Sequence, residues 1–237
     1  MDIKEAGILG DDPGDHWYYR SKVEAVERCL RGVTSTTLLD VGAGSGFFSR
    51  HLLARTPLRA AYCVDPNYSR EWSEEVAGKP LHFLRSTESV DADLVLLMDV
   101  VEHVDDDVAL LREYASKSRP DATFLISVPA FQFLWSAHDV FLGHRRRYSL
   151  RSLEQTVRRA GLSVAGGGYY YAAIFPLAML VRLARRGSAR EGASSDLKPH
   201  HPLVNRLLLS ACRAELPVLL HNRLFGLTAF CLARCAS

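Results

Sequence analysis

Residues 38–48, LLDVGAGSGFF, leave few folds open to the chain. An apolar run carrying Asp40 leads into Gly42, Gly44 and Gly46, and a helical apolar pattern starts at Phe47. That order predicts a buried strand, a tight glycine turn and the first turn of a helix. Glycine tolerates the dihedrals such a turn needs and lets a ligand approach the backbone. The acid at the strand end accepts hydrogen bonds or pairs with a cation.

The glycine spacing bears on the cofactor. A dinucleotide loop reads G-x-G-x-x-G, its third glycine packing helix against strand beside a pyrophosphate. Counted from Gly42, that third position holds Phe47, which disfavours a nicotinamide oxidoreductase. Residues 60–65, AAYCVD, then form a second short apolar run ending in Asp65. This acid lies about twenty residues beyond the loop, where a doubly wound fold presents a carboxylate to ribose hydroxyls. The plainer alternative is a turn acid before Pro66 and Asn67.

Further strands are expected at 81–85 (LHFLR), 93–104 (DLVLLMDVVEHV) and 122–129 (ATFLISVP), with a sixth starting at LSVAG (162–166). The run at 93–104 is nearly all apolar up to Asp99, as a central parallel strand covered on both faces requires. Ligands of open α/β sheets sit outside the carboxyl ends of the strands. Asp40, Asp65 and Asp99 all fall at such ends, and that agreement between independent segments outweighs any single motif. Helices are expected near 15–31, stopped by Gly32, at 47–55, ended by Pro57, from the acids 105–107 to Pro120, and after the capping Ser149. A polar helix is expected at 69–77.

With Asp40-x-Gly42-x-Gly44-x-Gly46 in place, the loop resembles motif I of the class I S-adenosylmethionine-dependent methyltransferases. The Asp99-x-x-Glu102-His103 stretch resembles that of the ubiquinone-biosynthesis type. The resemblance covers roughly residues 15–168 and the last strand. It implies an α/β, doubly wound Rossmann-like sheet of seven strands, the last antiparallel, which LFGLTAFCLAR (224–234) fits. It implies S-adenosyl-L-methionine as cofactor. Asp40, Gly42, Gly44, Gly46, Asp65 and Pro66 would then cradle it. The turn with Thr87 and Glu88 would lie near the adenine, and Asp99, Val100 and His103 beside the methionine part.

The rest of the chain is less legible. Between the sixth strand and the last lies an insertion, 169–223, with an apolar run, a basic patch, a polar linker at 187–198 and a second apolar helix. It covers an apolar substrate, forms a dimer interface, lies on a membrane surface, or simply packs on the core. The whole of 1–237 is therefore expected to be a single domain with a helical cap. His16, Trp17, Tyr18 and Tyr19 either lie over the cofactor mouth or staple a helix to the domain. A net charge of +2 gives no reason to expect nucleic acid. The five cysteines are irregularly spaced and match no zinc pattern, so reduced thiols and no metal are expected. Residues 1–17 contain no apolar signal core, and a cytoplasmic protein is the default expectation.

Methyl transfer from a sulfonium is an in-line displacement, so the protein supplies position, a dry cavity and a destination for the acceptor proton. A hydroxyl acceptor needs a base, and histidine suits the task. The long segment 130–149 supplies two candidates, His138 beside Asp139 and His144 before Arg145, Arg146 and Arg147. His138 is the first choice; His103 is a weaker one. Trp135, Arg146 and Tyr148 are expected to contact the acceptor, and the arginines point to an anionic or lipid-linked one, unless they pair with the acids at 105–107. Those three acids open a helix, and a metal cluster there is disfavoured because consecutive side chains diverge. O-methylation of a small molecule is the first expectation. C-methylation of a quinone- or lipid-like acceptor, and a non-catalytic cofactor-binding partner protein, are the alternatives.

Overall fold

The structure, a computed structural model, describes residues 13–185 and 200–235. The linker expected at 187–198 and nearly all of the arm expected at 1–14 lie outside them. Helix α1 (Trp17–Cys29) precedes β1 (Thr37–Val41), α2 (Phe47–Arg55) and β2 (Ala60–Val64). Then come β3 (Trp72–Val76), β4 (Lys79–Leu84), β5 (Leu94–Met98), α3 (Asp107–Lys117) and β6 (Thr123–Pro129). The chain continues through α4 (Ala137–Leu142), α5 (Leu150–Arg159), β7 (Leu162–Tyr170), α6 (Phe175–Arg185), α7 (Pro202–Glu215) and β8 (Thr228–Cys235).

The strands form one sheet in the order β3-β4-β2-β1-β5-β6-β8-β7. β1, β2, β4, β5 and β6 are parallel, while β3 and β8 run against their neighbours. All five residues of β5 are buried, in keeping with its place at the centre of a sheet covered on both faces. One core, with Leu38, Leu52 and Phe83, lies under α1, α2 and α7; the other, with Leu97, Leu111 and Leu153, lies under α3 and α5. The expected α/β sheet with an antiparallel last strand is present.

Among the described residues the strand count is eight, not seven, because the stretch expected to be a helix at 69–77 holds a strand. Ala77 and Gly78 both adopt positive φ (51° and 74°), the geometry of a two-residue turn that closes β3 onto β4. Trp72 then stacks on Phe83, with 4.1 Å between ring centroids. Polar residues at 73–75 reflect an edge strand, where one face stays wet.

Two boundaries also shift. β7 runs through Tyr169 and Tyr170, both buried, so the strand outlasts the expected limit at 168. Pro176 sits in the first turn of α6 and does not interrupt it, since proline lacks only a donor that the first turn leaves unused. The second insertion helix, α7, packs on α1: the Trp17 amide donates to Asn205 Oδ1 at 2.8 Å, and Arg213 pairs with Glu24. Leu177, Leu180, Leu203 and Leu207 stay exposed on α6 and α7. No described helix is long and apolar enough to cross a membrane. All five cysteines are free thiols.

Candidate functional site

The glycine turn connects β1 to α2 at the carboxyl edge of the sheet. Gly42, Gly44 and Gly46 all have positive φ, at 62°, 54° and 71°. Two of them are also required by close packing. A Cβ on Gly42 would lie 2.7 Å from Val100 Cγ2, and one on Gly46 would lie 2.8 Å from the Phe83 ring. The Gly44 carbonyl accepts from the Tyr68 hydroxyl at 2.7 Å, and its amide donates to Asp65 Oδ2 at 3.1 Å.

Asp40 points into the protein. It is 1% exposed and accepts a 2.7 Å bond from Ser49 Oγ on α2, which ties strand to helix behind the loop. Burial pushes its carboxyl up to about 6, against the opposing effect of the Ser49 hydrogen bond. Asp65 is also buried, and its Oδ1 accepts from the Asn67 amide at 2.9 Å. Pro66 beside it and Glu88 are exposed, and Thr87 bonds the Ser89 carbonyl at 3.3 Å.

Asp99 follows β5 with φ 57°. Its Oδ1 accepts from Ser127 Oγ on β6 at 3.1 Å, and its Oδ2 is held by the Lys22 ammonium of α1. Lys22 is 1% exposed and also donates to the Tyr18 hydroxyl at 3.2 Å. Burial alone would raise the Asp99 carboxyl, but the Lys22 charge, with hydrogen bonds from Lys22 and Ser127, holds it below its ordinary value. Asp99 in turn raises Lys22. This pair draws α1 over the strand end. The aromatic start of α1 staples the helix to the domain: Trp17 and Tyr19 are buried, Tyr19 edge-on to Phe47, while half-buried Tyr18 stacks on Tyr171 beside Lys22.

The segment 130–149 folds back along the same edge. Asp139 sits next to His138 in the chain but bonds His144, with Nδ1 to Oδ1 at 2.8 Å. The capping box of α4 explains this. Asp139 is the third residue of that helix, and its carboxylate turns back to the Ser136 amide (2.8 Å), away from its neighbour. Gly143, at φ 80°, then reverses the chain and delivers His144 to the same carboxylate. Arg147 completes the cluster with Nε to Asp139 Oδ1 at 2.7 Å. Burial works against this carboxylate, but His144 and Arg147 keep it well below its ordinary value. The Asp-paired histidine is thus His144, the second of the two candidates in this segment.

His144 also meets the segment after β5. Its Nε2 lies 3.9 Å from Glu102 Oε1, and its ring stands edge-on to His103 with centroids 4.8 Å apart. Glu102 is fully buried, and among the described residues neither of its carboxylate oxygens has a hydrogen-bond partner, nor does His144 Nε2. Burial, reinforced by the nearby Asp99 charge, raises the Glu102 carboxyl well above its usual range. Glu102, His103 and His144 each offer one atom within 4.8 Å of the others, so they are the described residues able to share a cation.

The arginine cluster is largely spent on structure. Arg145 pairs with Asp105, Arg146 donates to the Val104 and Asp105 carbonyls (3.0 and 2.8 Å), and Arg147 is buried on Asp139. The expectation that Tyr148 contacts the acceptor fails on geometry. Tyr148 is 3% exposed, and its hydroxyl donates to Asp107 at 2.8 Å. Asp105, Asp106 and Asp107 diverge as expected: to Arg145, to the helix cap at Ala109, and to Tyr148. Trp135 is half-buried. Lys22 escaped sequence reasoning because a helical lysine ordinarily reads as surface, and nothing near it in the chain marks an acid partner 77 positions away.

Residues 15–165 match a family model described as a methyltransferase domain. No curated protein matches the chain. Among solved structures, the chain is similar to the putative methyltransferase complexed with the Trm112 methyltransferase activator from Haloferax volcanii (18% identity, TM-score 0.55, 94% of this chain and 96% of that one). It is also similar to the [4+2]-cyclase SpnF (16%, TM-score 0.56, 96% and 85%). A third is the plantazolicin methyltransferase BamL, solved in complex with a triazolic desmethylPZN analog and SAH (11%, TM-score 0.52, 94% and 85%). At these identities the likeness is one of fold.

Proposed function

Because the chain belongs to the methyltransferase-domain family and is an S-adenosyl-L-methionine-dependent methyltransferase, we propose that it methylates a hydroxyl oxygen of a small molecule. Residues 15–168 and 224–234 form the catalytic core of a single domain, and 169–223 caps it. The observation that carries this reading is the Asp139–His144 pair. It sets a polar, oriented imidazole within 4 Å of Glu102, three residues beyond Asp99.

The cofactor lies along the carboxyl edge of the sheet. Asp65 receives the ribose diol. Its two oxygens already accept the Gly44 and Asn67 amides, but an ionised carboxylate has about four acceptor sites, which leaves two for the hydroxyls. Gly42, Gly44 and Gly46, with Asp40 and Pro66, shape the floor; Thr87 and Glu88 flank the adenine; Asp99, Val100 and His103 face the methionine end. The acceptor oxygen attacks the methyl carbon, the C–S bond breaks toward sulfur, and the hydroxyl proton leaves to the His144 side of the site. His138 is the second candidate for that role. Trp135 and Arg146 contact the acceptor from segment 130–149. The exposed leucines of α6 and α7 favour an apolar or lipid-linked acceptor and give the cap a surface for a membrane face.

Calorimetric titration with S-adenosylmethionine, S-adenosylhomocysteine and NADH, repeated with Asp65→Ala, tests the cofactor half. Binding of the first two only, weakened by the substitution, supports it. The hydroxyl half is tested by an acceptor screen with His144→Ala and His138→Ala. Loss of turnover with cofactor affinity kept is expected for His144→Ala. Full turnover in both variants sinks the hydroxyl reading in favour of methylation at carbon.

A further inference from the structure

We propose that Phe131, Phe133, Phe175 and Phe225 form an aromatic platform that binds the body of the methyl acceptor, an uncharged fused aromatic ring system, while its hydroxyl lies toward His144. The platform stands on the geometry of these rings. That its occupant is the acceptor rests on the hydroxyl-methylation reading above.

The first ground is where backbone strain falls. Four described non-glycine residues have positive φ, and three of them, Asp99, Phe131 and Tyr171, follow the ends of β5, β6 and β7. These strands run the same way, so the three residues lie along one edge of the sheet. Side chains seldom take this conformation unless their surroundings impose it, and residues so held gather at functional sites. Phe131, at φ 61°, is held by its amide donating to the Tyr148 carbonyl at 2.8 Å and its carbonyl accepting from the Leu134 amide at 3.0 Å. Its ring stacks on Tyr169 with centroids 4.9 Å apart, yet stays only half-buried. The strain therefore does not serve to hide the ring.

The second ground is the set of rings gathered beside it from three separate segments. Phe133, in the loop after β6, lies 5.4 Å from Phe131. Phe175, which opens α6, stands edge-on to Phe131 at 5.6 Å and to Phe133 at 6.4 Å. Phe225, in the loop before β8, lies 5.3 Å from Phe175. Phe175 is buried, while Phe133 and Phe225, which both touch it, are 43% and 40% exposed. Aromatic rings attract a further ring at such spacings beyond simple area burial. One six-membered ring covers one open ring face; a fused system covers both.

The third ground is charge. Residues 129–135, 172–184 and 223–228, which carry the platform, contain no acid. Arg182 donates to the Leu134 carbonyl at 3.0 Å, and Arg223 pairs with Glu154 at 2.8 Å. A neutral body fits this surface better than an anion. The platform is also tied to the candidate base. Arg147 donates to the Ala130 carbonyl (3.1 Å) and to Gln132 Oε1 (3.0 Å), and its Nε holds Asp139, which orients His144. One arginine thus fixes the platform's chain and the imidazole in a single frame.

The test uses 2-naphthol and its saturated analogue decahydro-2-naphthol as probes. Each is titrated calorimetrically into the full-length protein saturated with S-adenosylhomocysteine. The aromatic probe is expected to bind at least fivefold more tightly. Phe133→Leu and Phe225→Leu keep an apolar side chain and remove the ring. Each should weaken 2-naphthol about three- to tenfold and leave the saturated alcohol within twofold. Leu207→Ala, at an exposed position on α7, should change neither. Thermal melts check folding, and because each ring alone carries the prediction, the sounder variant decides. Undetectable 2-naphthol binding, equal affinity for the two probes, 2-naphthol binding untouched by both ring variants, or an equal loss with Leu207→Ala overturns the platform. No methyl group moves with S-adenosylhomocysteine in place, so the platform is judged by binding and the hydroxyl reading by turnover. Binding as expected, with His144→Ala and His138→Ala both fully active, keeps the platform and rejects the hydroxyl reading.

Discussion

The ammonium of Lys22, in the second turn of α1, is buried against the carboxylate of Asp99 at the end of β5. This pair holds a helix from outside the sheet across the edge where the three strand-end acids converge. Removing the cation leaves the Asp99 carboxylate with the Ser127 hydroxyl as its hydrogen-bond partner among the described side chains. Lys22→Met is expected to cost about 2–3 kcal/mol, below the full penalty for breaking a buried pair because Asp99 is about a third exposed. In a chain of this size that is roughly a 5–10 °C fall in melting temperature. Lys22→Arg should recover part of it, and an unchanged melt for Lys22→Met would refute the pair's role.

Gly42 and Gly46 carry two separate costs on substitution. Positive φ disfavours any L side chain by about 1–2 kcal/mol, and the added Cβ would overlap Val100 or Phe83. Gly143 has positive φ with nothing within 4 Å of an added Cβ. Chemical denaturation should therefore show Gly143→Ala losing about 1 kcal/mol, against about 2–4 for Gly42→Ala and Gly46→Ala. Equal losses at all three positions would mean that packing beside the loop is slack.

Asp40 gives a pH signature in the cofactor-free protein. An unfolded aspartate titrates near 3.9, and burial raises Asp40 to about 6. The folded state therefore holds this proton more tightly, and its contribution to stability is largest below about pH 4. That contribution falls as pH rises from about 4 to 6 and is flat above. Asp40→Asn should remove this slope and raise stability near neutral pH by up to about 3 kcal/mol. Parallel stability–pH curves for the two proteins would show that Asp40 does not titrate in that window.

Tyr148 separates bracing from acceptor binding. Its hydroxyl donates to Asp107, which also accepts from Thr156 at 3.3 Å. Tyr148→Phe should cost about 1 kcal/mol of stability and leave the acceptor KM unchanged. A raised KM with an unchanged melt would return Tyr148 to the acceptor site.

The parts of the fold carried by local pattern were legible in the sequence. Asp65 and Asp99 directly follow β2 and β5 because apolar runs stop at them, Asp40 is the penultimate residue of β1, and the glycine turn needs no distant partner to be recognised. β3 departs from the expected helix because three consecutive polar residues, Ser73, Glu74 and Glu75, separate Trp72 from Val76 and hide the two-residue period that marks a strand. Its turn at Ala77-Gly78 was the available signal.

What the sequence by itself determined is therefore the sheet, the loop and the order of the strand-end acids, since each depends on periods of a few residues. Only the tertiary structure decided which side chains meet. Lys22 reaches Asp99 across 77 positions. Asp139 turns from His138 to His144 because a helix cap directs its carboxylate backwards. Glu102 comes to face His144 because two loops converge on one sheet edge. Such pairings depend on how elements pack in space, where adjacency along the chain carries little information about direction.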